Sequence, residues 1–439
     1  MDTNSETTLE HDHGLWRVTA GRAPSTPALN GEAQADVAVI GAGFTGLSAA
    51  VHAAEAGARV VVIDARYPGY GASGRNGGSV IPGFKLYPSE LKAAYGEERA
   101  RAMIDFGGSN VDFTFELIRR LGIQADVARN GWVYAAHSPV ALPLARQRFD
   151  DLAKVGAPVQ WLDRDALTSR LGTRAYFGGW LDKRGGSLQP LSYARGLAAA
   201  AMKKGVAIHG DSPAIGLSAK GNGWTVNTPK GSISAKHVIV GTNAYTDGLI
   251  PGLKHCVVPF QSAQVATAPL PSELLANILP MQNAVSDSRR SMLYFRHSPD
   301  GRFLMGGRGG VLVPTGDSHW SYLRQQAIRL YPQLARVQWE HAWSGDVAIT
   351  PDYVPHFYEP YPNVHVGLGY YGRGVAMATV FGKLLADRAL GLMTTAECPV
   401  PITQLEPMKL APFKKLGAAV ISKWYRMQDA RELKLADQM

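Results

Sequence analysis

Apolar and polar positions along this chain change period in a readable order. Val37–Ile40 is a short apolar run ending on Gly41-x-Gly43-x-x-Gly46. An Ala-rich helical stretch follows, then a second apolar run, Val60–Ile63, which closes on Asp64. Strand, glycine turn, helix, strand and acid in that order make a dinucleotide-binding βαβ unit over roughly 35–66. Gly41 permits the tight turn, and Gly43 lets backbone N–H groups approach a pyrophosphate at the helix N-terminus. Gly46 allows close helix–strand packing, and Asp64 can accept from a ribose hydroxyl.

Farther along, Leu91, Ala94, Ile104, Val111, Phe115, Ile118 and Leu121 fall near helical spacing, predicting helix from Pro88 to Leu121. A short strand is expected at Trp132–Ala136 and helices at Pro143–Val155 and Ser192–Lys204. Ile215–Ser232 reads as a hairpin or meander around Gly221-Asn222-Gly223. His237-Val-Ile-Val is a buried strand. Val257 to about Gly309 alternates as a separate antiparallel sheet would. His319–Tyr331 is helical and stopped by Pro332. Val364–Leu368 is an apolar strand running through Gly369-Tyr-Tyr-Gly-Arg-Gly374 into a helix, Val375–Leu390.

Nucleotide-type elements therefore occur early, in the middle and late. The expected fold is α/β: a Rossmann-type domain assembled discontinuously from 35–85, 185–245 and 341–405. A substrate domain with a mainly antiparallel β-sheet and helices is expected from 86–184 and 246–340. Residues 1–34 read as an arm that docks through Leu15 and Trp16. Residues 406–439 read as a helical tail, with Leu416, Val420, Trp424 and Met427 on one face beside Lys414, Lys415, Lys423 and Arg426. Docking on the protein's own surface is the preferred role of that face; contact with an anionic membrane is the alternative.

At 439 residues, 46% apolar and 18% charged, the chain suits a soluble enzyme with a large core. Its net charge of +9 is spread along the sequence, and no nucleic-acid-binding motif accompanies it. Cys256 and Cys398 stand in no CxxC or metal-ligand spacing, so neither a disulfide framework nor a metal site is expected. The polar, acidic start does not read as a signal peptide, and no run of eighteen apolar residues occurs. A cytoplasmic location is expected.

Two further glycine-dense loops separate flavin from nicotinamide as the cofactor. Tyr70-Gly-Ala-Ser-Gly-Arg-Asn-Gly-Gly78 follows the βαβ acid and offers many N–H groups with small side chains. Gly369–Gly374 sits between a strand and a helix whose positive end can face an anionic ring edge. With these residues in view, the chain resembles the D-amino-acid oxidase superfamily of FAD-dependent enzymes, and within it is similar to gamma-glutamylputrescine oxidase-like amine oxidases. The likeness rests on Gly71–Gly78, Gly241-Thr-Asn-Ala-Tyr245, Trp343-x-Gly345 with Thr350-Pro-Asp352, and Gly369–Gly374 continuing into Gly382-Lys-Leu-Leu-Ala386. It spans about 35–405.

The resemblance implies FAD extended along the Rossmann-type domain, held by Gly41, Gly43, Phe44, Thr45, Gly46, Asp64, Ala65 and Arg66. Gly71, Ala72, Ser73, Arg75, Asn76, Gly77, Gly78, Thr242, Asn243, Gly345, Gly372, Gly374 and Val375 would complete its site. It further implies hydride transfer from the carbon beside an amine to flavin N5, with the imine hydrolysed to aldehyde plus amine or ammonia. Oxygen is the expected electron acceptor. The alternative is a dehydrogenase for D- or secondary amino acids that passes electrons to quinone. A flavoprotein without turnover and a nicotinamide dehydrogenase are the remaining readings, the last disfavoured by the two extra loops.

Relatives acting on simple α-amino acids usually carry arginine where this chain has Val347. That departure favours an amine, or an acid whose carboxylate lies far from the oxidised carbon. Relatives often carry histidine at the positions of Gln189 and Arg373. Tyr371 and Arg373 are the candidate catalytic residues, and Tyr294, Arg308, Trp343 and Tyr370 the candidate substrate contacts. For Arg75 and Asn76 loop scaffolding is an equal reading, for Tyr294 core packing, and for Arg308 a structural ion pair. For Trp343 the core reading is preferred. Neither cysteine sits in a flavin-attachment motif, so the FAD is expected to be noncovalent.

Overall fold

The computed structural model describes residues 13–409 and 413–436. Its first layer is a nine-stranded sheet whose centre is parallel. Gly31–Ile40 lies between Val60–Ile63 and Gly231–Val240, flanked outward by Ala207–His209 and Val364–Leu368. Val37, Val39, Val60 and Val62 are buried between sheet and helices, which is why the central strands read as unbroken apolar runs. The helix Phe44–Glu55 crosses back over this sheet and packs on Gly374–Ala389. A Cβ on Gly382 would stand 2.5 Å from the Thr45 carbonyl oxygen, so only glycine lets the two helices approach this closely.

The second layer is an eight-stranded sheet running, in order, through Trp339–Ile349, Val258–Pro269, Arg302–Arg308, Leu293–His297, Ala284–Asp287, Trp132–Ala135, Gly179–Asp182 and Val159–Leu162. It is antiparallel except where Ala284–Asp287 runs parallel to Trp132–Ala135. The expected antiparallel sheet is therefore present, and it draws strands from two separate inserts. Trp339–Ile349 is its edge strand, although the sequence assigns residues from 341 onward to the nucleotide half.

Three local expectations are corrected. The helix expected over Pro88–Leu121 is two helices, Pro88–Tyr95 and Glu97–Arg120, because Gly96 takes a φ of 75° that interrupts the hydrogen-bond ladder. The hairpin and the buried strand of the middle segment are not separate, since Gly231–Val240 is one strand. It pairs antiparallel with Gly223–Thr228 through its first half and parallel with Val364–Leu368 through its end.

The C-terminal helix, Lys414–Ala436, docks the opposite face from the one anticipated. Ser422, Asp429 and Glu432 are buried, while Leu416, Val420, Trp424 and Met427 are exposed. Inward carboxylates win because they meet specific donors. Asp429 accepts from the backbone N–H groups of Arg290 and Ser291, and Glu432 accepts from Arg290 at 2.6 Å and from Ser138.

Residues 1–12 of the expected N-terminal arm lie outside the described residues; the rest docks through Leu15 and Trp16 as expected. Leu15 and Trp16 are fully buried, about 1.5–3 kcal/mol for a side chain of leucine size. Trp16 donates from Nε1 to the Asn76 carbonyl at 2.8 Å and meets Trp343 edge-on at 5.7 Å. The arm thereby braces the second glycine loop from behind. Gln189 caps the helix Pro190–Lys203 by accepting from Ser192 N at 2.7 Å and donates to the Trp16 carbonyl.

Candidate active site

A cavity of about 780 Å³ runs from the first glycine turn across the C-terminal ends of the parallel strands to strands of the second sheet. At its nucleotide end, Gly41 turns with φ 103°, and a Cβ on Gly46 would lie 1.9 Å from the Gly41 carbonyl. The turn therefore admits no side chain at position 46. Gly43 caps Phe44–Glu55 without any side-chain bond, so first-turn amides face the cavity; Phe44 N donates to Ser73 Oγ at 2.9 Å.

Asp64 accepts from Ala42 N and from Arg66 N, each at 2.8 Å, and so ties the glycine turn to the following bend. Burial raises its pKa, opposed by those two N–H groups. The carboxylate organises the turn as well as facing the cavity.

The second glycine loop is held by its own side chains and by the opposite sheet. Asn76 donates to the Ala72 and Ser73 carbonyls and accepts from Gly78 N, which is scaffolding. Arg75 donates from Nε to the Tyr70 carbonyl at 2.7 Å and lies over the Tyr70 ring. Arg296 reaches across from the second sheet to donate to the Gly77 and Leu188 carbonyls, and burial lowers its pKa to about 10. Asn243 accepts from Gly369 N at 2.9 Å, joining the middle and late nucleotide segments.

Among the expected cofactor contacts, Gly41, Gly43, Phe44, Thr45, Asp64, Ala65, Arg66, Gly71, Ala72, Ser73, Arg75, Asn76, Gly77, Thr242, Asn243, Gly345, Gly372, Gly374 and Val375 line this cavity. Gly46 and Gly78 stand behind the wall, at close-packed points where a Cβ would meet backbone.

Of the expected substrate contacts, Tyr294, Arg308, Tyr370 and Tyr371 line it. Tyr370 shares a hydroxyl hydrogen bond with Thr45 at 2.7 Å, which puts it beside the first helix. Trp343 does not line the cavity: it is 1% exposed, packed on Trp16, and donates to the Arg75 carbonyl at 2.9 Å. Arg373 does not line it either. Its guanidinium donates to the Pro82 carbonyl and lies over the Trp132 ring, and burial lowers its pKa. Arg373 thus stands behind the lining, and its charge still reaches Lys85.

Several lining residues carry no sequence motif. Lys85, Arg148, Arg289, Arg290, Tyr425 and Glu432 are among them. Asp287 neutralises Arg289, and Glu432 pairs with Arg290 at 2.6 Å. Lys85, Arg148 and Arg308 have no such partner among the described residues. Arg148 donates to the Tyr134 hydroxyl at 2.8 Å, and Arg308 to Ser422 Oγ at 2.9 Å, also lying over the Phe260 and Tyr425 rings. Lys85 Nζ is 6.0 Å from the Tyr371 ring centre. Burial lowers its pKa to about 7, with the Arg373, Arg148 and Arg308 charges adding to the effect. The one sequence signal for Lys85 is its place as a lone charge in Pro82-Gly-Phe-Lys-Leu-Tyr-Pro88.

The family model for FAD-dependent oxidoreductases, DAO, matches residues 36–388. The chain belongs to this family. It is 30% identical to gamma-glutamylputrescine oxidoreductase of Escherichia coli K12, covering 87% of this chain and 90% of that protein. It is 32% identical to the probable oxidoreductase OrdL of Haemophilus influenzae, covering 83% and 85%. Among solved structures, glycine oxidase of Geobacillus kaustophilus superposes with a TM-score of 0.71 at 22% identity, over 84% of this chain and 99% of that one.

This DAO-family chain is accordingly an FAD-dependent amine or amino-acid oxidoreductase. The residues fit the cofactor: a side-chain-free turn, a helix N-terminus with no capping side chain at Gly43 and a buried acid at the nucleotide end of one continuous cavity.

Proposed function

We propose that the chain oxidises a C–N bond in a primary or secondary amine whose far end carries a carboxylate, as a gamma-glutamyl amine does. One observation carries this reading: Lys85, Arg148 and Arg308 face the cavity without a carboxylate partner among the described residues. Cations in a low-dielectric wall are costly until an anion answers them. A substrate carboxylate supplies that anion. Val347, which also lines the cavity, offers no grip to a carboxylate adjacent to the oxidised carbon.

FAD, when bound, supplies the two-electron hydride acceptor. The chain's own residues bind, orient and dry the substrate. Tyr371 and Tyr294 wall the cavity, and Lys85, Arg148 and Arg308 hold the anionic end. A positively charged cavity disfavours an ammonium, so the substrate enters with its amine neutral, the proton left to solvent, and presents the lone pair that C–N oxidation requires. Oxygen is the proposed electron acceptor. Neither Cys256 nor Cys398 lines the cavity, which supports noncovalent FAD.

The test is turnover and anaerobic flavin bleaching across a panel of amines. A gamma-glutamyl amine should exceed alanine, proline and glycine by at least about a hundredfold in kcat/KM, about 2.7 kcal/mol of transition-state binding, and should also outrun a polyamine, which has no carboxylate. Faster turnover of a plain α-amino acid would overturn the proposal. A second reading, an amino-acid dehydrogenase delivering electrons to quinone, is favoured by the apolar outer face of the C-terminal helix. It predicts faster reoxidation by a quinone analogue than by oxygen.

A further inference from the structure

The C-terminal helix is inverted relative to an ordinary surface helix, whose apolar stripe faces the core. Its acids and Ser422 point inward, while Leu416, Val420 and Trp424 are 54%, 63% and 47% exposed on one face. Ile421 and Met427 extend that face. Lys415, Lys423 and Arg426 flank it, exposed and without an ion pair among the described residues. The neighbouring loop 309–316 leaves its strand at Arg308, which bonds Ser422, and enters the next helix near His319, whose pKa the Arg426 charge helps to lower. That loop adds Leu312 and Val313, 56% and 70% exposed.

We propose that this face, formed by the C-terminal helix with loop 309–316, binds the surface of an anionic lipid bilayer. The charge pattern selects that occupant. Unpaired bases beside an apolar stripe match acidic headgroups over acyl chains, and the helix keeps its own acids on the far side. No helix among the described residues is long and apolar enough to cross a membrane, so the attachment is peripheral. The proposal is independent of the substrate and of the electron acceptor. The inner face of the same helix also borders the cavity, through Tyr425 and Glu432.

The experiment is co-sedimentation of the FAD-loaded enzyme with phosphatidylcholine vesicles, with and without phosphatidylglycerol. Wild type should partition at least about tenfold better onto the anionic vesicles, with added salt weakening the binding. The charge-reversed variant K415E/K423E/R426E and the apolar-face variant L416S/V420S/W424S should each lose that binding while retaining flavin absorbance and the soluble-substrate rate. Equal binding to neutral vesicles, or variants that bind as well as wild type, would overturn the proposal. So would concentration-dependent self-association in light scattering that both variants abolish without any vesicle binding, which would assign the face to a second copy of the chain.

Discussion

Tyr353 and Tyr371 both adopt left-handed backbone, with φ of 66° and 48°, and their rings meet at 5.0 Å. Two aromatic residues in a region that disfavours side chains, packed on each other at the edge of a cavity, store strain where a ligand is handled. The late glycine turn thus sets the Tyr371 ring in the cavity lining, within reach of Lys85 and packed on Tyr353.

Removing that ring is expected to affect the reaction and not the cofactor. Tyr371→Ala should keep its flavin spectrum but reduce it with substrate about tenfold or more slowly, the scale of lost positioning. Stopped-flow measurement of the reductive half-reaction separates this from reoxidation. A wild-type reduction rate in the variant would make the turn simple scaffold.

Cofactor binding itself should fail at the first glycine turn. In Gly43→Val a branched side chain enters the space beside Ser73 Oγ, which an added Cβ alone would approach to 2.9 Å. The purified variant should be colourless. In wild type, acid precipitation should release all yellow colour into the supernatant; colour retained on the pellet would refute noncovalent attachment.

The cationic wall makes a comparative prediction. Arg308→Gln and Lys85→Met should raise KM for a gamma-glutamyl amine by about tenfold or more, at least about 1.4 kcal/mol, yet change KM for an uncharged-ended amine little. Lys85 also fixes a pH dependence. Burial holds its pKa near 7 in the free cavity, so it is charged below that pH and neutral above it. The carboxylate-dependent share of kcat/KM should fall as pH rises through about 7 and become flat in Lys85→Met. Identical profiles in the two enzymes would exclude Lys85 from substrate binding.

Acid stability should depend on Glu359. The hydrogen bond from His365, against the cost of burial and with help from Arg388, lowers its pKa to about 2. A depressed carboxylate stabilises the fold above its unfolded pKa of about 4.3 and loses that contribution as pH falls toward 2. Glu359→Gln should therefore lower Tm at pH 7, with the gap closing between about pH 4 and 2 in thermal melts. A gap that is constant with pH would show that the carboxylate charge does not contribute.

How much was legible depends on whether the information is local. Gly41–Gly46 and Asp64 are recognisable because turn, helix start and acid are consecutive and each needs a particular residue type. Gly71–Gly78 and Gly369–Gly374 are legible for the same reason. Trp343 sits in a recognisable stretch yet packs in the core, since a motif position does not say which side of a strand faces a ligand. Lys85 and Arg148 look like ordinary solvated charges in sequence, because nothing local reports that each lacks a counter-ion among the described residues.

The sequence by itself thus determined the nucleotide turn and the alternation of parallel and antiparallel segments, which follow from spacing within some thirty residues at a time, while the family was legible through the resemblance of its motifs. Tertiary structure decided which charges face one another. It bonded Arg373 to the Pro82 carbonyl behind the lining, brought Lys85, Arg148 and Arg308 to one cavity, and laid the acids of the C-terminal helix inward. Long-range electrostatics and desolvation depend on distances between segments far apart in the chain, and only the packed fold sets those distances.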